Sequence, residues 1–98
     1  MAPSDVMAID GHSLSVACVG YTTIPTTTLS WTQNGQLINN STRTTVLESR
    51  EERAGLVMIR GILLVDCVEP TDASQYECHV TNDYFDKRES FVISVIGN

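Results

Sequence analysis

The chemistry of this 98-residue chain rests on three cysteines, two histidines and a few clustered carboxylates. Cys67, Cys78 and His79 are the residue types of a zinc site. But Cys78 and His79 are adjacent on an alternating segment, so they point to opposite faces and no metal is expected. A nucleophile–base–acid set would need His12 or His79 beside a serine and a carboxylate, and no exposed serine elbow is present. The pair Glu51-Glu52 lies within Glu48-Ser49-Arg50-Glu51-Glu52-Arg53, whose mixed signs read as a solvated turn tip, not an acid/base pair. The 6 glycines are scattered as turn residues and build no phosphate cradle. Neither catalysis nor a cofactor is expected. One modification signal stands out. Asn39-Asn40-Ser41-Thr42 holds two overlapping glycan-acceptor sequons, at Asn39 and Asn40, in a polar loop.

The elements that must position these residues are strands. Leu14, Val16 and Cys18 alternate with Ser13, Ser15 and Ala17, the period of two of a half-buried strand. Leu29 and Trp31 alternate likewise, as do Leu63 and Val65, then Tyr76, Cys78 and Val80, then Phe91, Ile93 and Val95. No window sustains a helical period. Asp10-Gly11, Asn34-Gly35, Ala54-Gly55, Glu69-Pro70-Thr71-Asp72 and Asn82-Asp83 punctuate the runs. Strands are predicted near 4–9, 13–19, 28–33, 36–39, 43–49, 56–66, 75–81 and 88–96, with Gly61 either bulging or splitting the sixth. Strands with one apolar face need a second sheet to cover them. The expected fold is all-β, a two-sheet sandwich in a single domain over 1–98 with its core at about 6–95.

Composition narrows the partners. Six Lys and Arg against 12 Asp and Glu give a net charge of -6, which repels phosphate backbones and anionic membranes. No run approaches the roughly 18 apolar residues of a membrane span, so no direct membrane insertion is expected. Met1-Ala2-Pro3-Ser4-Asp5 has neither the basic start nor the apolar run of a signal peptide.

Cys18 on the second strand, Trp31 on the third, and Asp72-Ala73-Ser74-Gln75-Tyr76-Glu77-Cys78 together resemble the immunoglobulin superfamily, over roughly Val6 to Val95. The resemblance implies a Greek-key sandwich with a Cys18–Cys78 disulfide between the sheets and Trp31 packed upon it. It implies a tyrosine corner, with the Tyr76 hydroxyl bonded to backbone near Glu69 to Asp72. Asp72 is expected to pair with an arginine, Arg43 first, then Arg50 or Arg60. Ser74 replaces the family's usual glycine, which predicts a strained or shifted turn. The segment 83–95 lacks the variable-type glycine bulge, and Trp31 to Cys78 is short for an extra hairpin. The intermediate set, or I-set, fits best.

Cys67 falls outside the inward pattern of Leu63, Val65 and Val68. It is expected at a strand end, as a free thiol or as an intermolecular bridge. The resemblance implies function by binding protein. The expected surface is the face of the third, seventh and eighth strands, where Thr32, Glu77, His79 and Val92 point outward. Tyr84 and Phe85 cap it unless they fold back over the sandwich end. The leading expectation is a recognition module of an extracellular adhesion molecule or receptor ectodomain with a homophilic or heterophilic partner. A secreted growth-factor or peptide-hormone binder and an intracellular muscle-type structural domain are the alternatives.

Overall fold

The computed structural model describes residues 5–97. Strands β1 (Val6–Ile9), β2 (Leu14–Thr22), β3 (Thr28–Gln33), β4 (Gln36–Leu37), β5 (Thr44–Arg53), β6 (Leu56–Val65), β7 (Ser74–Thr81) and β8 (Asp86–Ile96) follow in order, with one short 3-10 turn at Pro70–Asp72. They form a five-stranded sheet, β1-β8-β7-β3-β4, and a three-stranded sheet, β2-β6-β5. All pairings are antiparallel except β1 with β8, which is parallel. The sandwich measures 47 × 22 × 21 Å.

Alternation decides which side chains meet between the sheets. Val16 and Cys18 from β2, Ile59 and Leu63 from β6, Trp31 from β3, Tyr76 and Cys78 from β7, and Phe91 and Ile93 from β8 are all buried. Cys18 and Cys78 are joined by a disulfide that spans the layers with a Cα–Cα distance of 6.6 Å. Trp31 sits directly opposite Cys78 in the register and meets Phe91 edge-on at 6.0 Å, while Tyr76 stacks on the same ring at 5.5 Å. Such aromatic pairs add about 0.5–1.5 kcal/mol each beyond the area they bury.

Gly61 neither bulges nor splits β6, which runs unbroken in register with both neighbours. Glycine is required there by close approach. A Cβ would collide with a Leu29 methyl and stand 3.2 Å from Trp31 Nε1. The Tyr76 hydroxyl donates to the Asp72 carbonyl at 2.7 Å and closes the corner before β7. Arg43, not Arg50 or Arg60, grips Asp72 with both ends of its guanidinium, at 3.0 and 3.3 Å, and also donates to the Asp66 and Cys67 carbonyls. Burial pushes the Asp72 carboxyl up. The Arg43 hydrogen bond, the Glu69 N–H and the Arg43 charge together outweigh that and hold it below its ordinary value.

Two further local expectations fail. Ser74 shows no strain, because its φ is not positive; it opens β7, and its Oγ accepts from Gln33 Nε2 at 2.8 Å. The charged run Glu48 to Arg53 is not a turn tip but the second half of β5. Ala54 and Gly55, both at positive φ, make a two-residue hairpin turn that keeps β5 paired with β6 to the end. β5 is an edge strand, and the mixed charges of its second half deter pairing with other chains.

Candidate functional site

The loop between β7 and β8 is built around Asn82. Its side-chain oxygen accepts the Tyr84 and Phe85 amides at 2.7 and 3.1 Å, and its own amide N–H donates to the Phe85 carbonyl at 3.0 Å. Asparagine favours such turns because its carbonyl mimics backbone. Its side-chain nitrogen donates to Thr27 Oγ1 at 2.8 Å. Thr27 is fully buried and binds the Ile24 carbonyl, while Arg50 donates to the Thr27 carbonyl at 2.7 Å. The loop is therefore tied to the β2–β3 connection and to the edge strand.

This scaffold separates the two aromatic rings. Tyr84 projects into solvent, 81% exposed. Phe85 is 39% exposed and turns aside to line an open groove of about 440 Å³ with Tyr21, Val80 and Lys87. Around them Arg88 pairs with Asp86 at 3.0 Å, and Lys87 lies 3.8 Å from Glu89.

The outer face of the five-stranded sheet is less open than alternation alone suggests. Thr32 stands between Leu37 and Glu77 in the register and is only 9% exposed. Its hydroxyl finds no hydrogen-bond partner among the described residues. His79, expected to be exposed, has a side chain 17% exposed and lies 3.4 Å from Glu77, whose other oxygen accepts from Ser90. Neighbouring strands cover both residues, because alternation fixes the face but not the height of the adjacent side chains. Val92 and Ile96 remain exposed, as expected. Sequence reasoning missed Met7 and Ile9. The parallel pairing of β1 brings both onto the same margin, Ile9 beside Ile96. No sequence signal announced that pairing, since it depends on a register between opposite ends of the chain.

Cys67 is free and exposed, in a turn at φ 51, beyond the end of β6. Asn39 is exposed, while the Asn40 side-chain oxygen accepts the Val46 amide at 2.7 Å. The two acceptor asparagines are thus unequal: one is open and the other is tied to β5. Among the described residues no three metal-ligating side chains gather, and no helix is long and apolar enough to cross a membrane.

The model of the family described as "Immunoglobulin domain" matches residues 1–82. The chain belongs to the immunoglobulin domain family. Its solved relatives in shape are also domains of this kind. The immunoglobulin fold here is similar to that in a titin M10–obscurin-like 1 complex (TM-score 0.75, 23% identity, 99% of this chain and 89% of that one). It is similar to the titin M1 domain (TM-score 0.71, 19% identity, 95% and 88%). It also resembles part of the twitchin kinase region of C. elegans (TM-score 0.77, 17% identity, 97% and 15%), so it spans a small fraction of that chain. At these identities the likeness is one of fold. No curated protein sequence matches the chain.

Proposed function

We propose that this immunoglobulin domain is a non-catalytic protein-recognition module, one unit of a longer modular chain of the titin and twitchin kind, and that its β7–β8 loop grips the partner. The observation that carries the reading is Tyr84, an almost fully exposed aromatic on a loop pinned by Asn82 and Thr27. An exposed ring ringed by charge has the composition of a contact hot spot. A loop already held in one shape loses little entropy on binding. Phe85 and Val92 extend the contact, and the Glu77–His79 pair supplies its polar part. The titin M10 structure is a complex with an obscurin-like 1 domain, which supports protein as the class of partner. The net charge of -6 weighs against nucleic acid.

A partner captured from the native tissue on the immobilised domain provides the test. Tyr84→Ala should weaken that partner at least tenfold while leaving the melting point within about 1 °C, since surface changes away from structural features are usually near-neutral. Full binding by both Tyr84→Ala and Phe85→Ala would refute the site.

A second reading has its own support. The Cys18–Cys78 bridge and the open Asn39 sequon suit an extracellular adhesion molecule, receptor ectodomain or secreted binder. Mass analysis of the protein from its native source separates the settings. A glycan at Asn39 or Asn40 with oxidised cysteines establishes the extracellular one. Two free thiols at Cys18 and Cys78 with no glycan establish the muscle-type one.

A further inference from the structure

A half-solvated strand of an antiparallel sheet alternates apolar and polar residues. β6 does not. Its inward residues Val57, Ile59, Leu63 and Val65 are buried, yet its outward residues Leu56, Met58, Ile62 and Leu64 are also apolar, with Arg60 in their midst. The neighbouring strands continue the pattern in part, since Ser15 of β2 and Thr45, Ser49, Glu51 and Arg53 of β5 turn outward as a polar margin. In register, Ala17 and Leu47 flank Ile62, and Tyr21 flanks Met58. The outer face of the three-stranded sheet thus carries an apolar strip along β6, half-buried at Met58, Ile62 and Leu64 and open to water at Tyr21, Leu47 and Leu56.

Arg60 is the second observation. The chain has 6 cations. Arg43, Arg50, Arg53, Lys87 and Arg88 each lie 2.7 to 3.8 Å from a carboxylate. Among the described residues Arg60 alone has no such partner, although the chain has 12 carboxylates. It is exposed at the centre of the apolar face, with Glu51 one outward row away, beside Met58.

We propose that this face is covered by a second copy of the same chain, in a weak two-fold dimer whose three-stranded sheets stack face to face. Two features favour a copy over a foreign chain. The face carries the unpaired Arg60 and a carboxylate, Glu51, which holds the exposed Arg53 of its own strand at 2.7 Å and has acceptor capacity left for a second cation. A two-fold axis across the strands, between the Met58 and Arg60 rows, sets each Arg60 near Glu51 of the second copy and each Ile62 over Leu56 of the second copy. The charge also fits. The outward face holds Arg60 and Arg53 against Glu51, one net positive charge, in a chain of net charge -6. It is where two acidic copies approach without like charges meeting. Strands about 4.8 Å apart and outward rows about 6.8 Å apart make the patch roughly 400 Å² per copy, about 800 Å² in all. That is below the roughly 1,200–2,000 Å² of stable complexes, so the dimer is weak and reversible.

Sedimentation equilibrium of the Cys67→Ser chain from about 20 µM to about 1 mM, a range chosen for a weak interface of this size, is the test. The weight-average mass should climb toward twice the monomer mass. Arg60→Glu, at an exposed position that leaves the fold intact, should hold it at the monomer, and so should Ile62→Lys. Arg60→Glu combined with Glu51→Arg should restore the rise, because the charges are exchanged on both copies. Tyr84→Ala should change nothing, which keeps this result separate from the loop site. A monomer at every concentration overturns the proposal and leaves the face to another occupant. A dimer indifferent to Arg60→Glu and Ile62→Lys overturns it equally, because association then runs through another surface.

Discussion

The bridge between Cys18 and Cys78 closes a loop of 60 residues. In the chain-entropy account, constraining a loop of that length in the unfolded chain stabilises the fold by about 4 kcal/mol at 25 °C. Both cysteines are buried and Trp31 packs opposite Cys78, so the replacement must not bury a new hydroxyl. The double variant Cys18→Ala, Cys78→Ala meets that condition. For a domain of about 100 residues each kcal/mol moves the melting point by about 4–8 °C, so the variant should melt about 15–30 °C below the oxidised protein. Fluorescence of Trp31, the single tryptophan, reads the transition from inside the core. A variant melting within about 5 °C of the parent would refute the argument, since the expected loss is at least three times larger. The outcome also bears on setting. Domains are stable by about 5–15 kcal/mol, so losing about 4 leaves a reduced form folded but marginal. An intracellular role requires that this form hold at body temperature.

Three further substitutions test separate parts of the fold. Gly61→Ala forces a methyl against Leu29 and Trp31 Nε1, and overpacking of about 1–3 kcal/mol exceeds the roughly 0.4–1 kcal/mol regained from the unfolded backbone. Its melting point should fall by several degrees; a rise would show that Leu29 yields freely. Ala54 occupies a left-handed position at φ 52, followed by Gly55. Ala54→Asn creates the favoured Asn-Gly turn and should raise stability by about 0.5–1 kcal/mol in urea unfolding; an unchanged midpoint would mean the turn relaxes without strain. The Asp72 carboxyl titrates lower folded than unfolded, so its stabilisation is complete above about pH 4 and is lost as the pH falls through the folded value. Melting points of the parent should therefore drop in acid more steeply than those of Asp72→Asn, and parallel acid limbs would remove Asp72 from the account.

The parts of the molecule legible in its sequence are those where one side chain reports one face. Cys18, Trp31, Tyr76 and Cys78 stand out because alternation places each inward, and all four are buried. Alternation is silent on cover. It put Thr32 and His79 on the outer face correctly but gave no sign that their neighbours stand taller. It is equally silent on register, which is why the parallel seam that carries Met7 and Ile9 beside β8 was not visible. The β6 face is a different matter, because its signal was present. Leu56 to Val65 is apolar at successive positions, not alternate ones, which in a strand means two faces seeking cover. One face is satisfied by the Trp31 core. Among the described residues nothing packs over the other, and at its centre sits Arg60 without a carboxylate partner. A strand that violates its own period on the solvent side is therefore a stronger pointer to association than an exposed loop. The loop can be polar or aromatic at little cost to folding, whereas the β6 face exposes apolar area that only association removes from water.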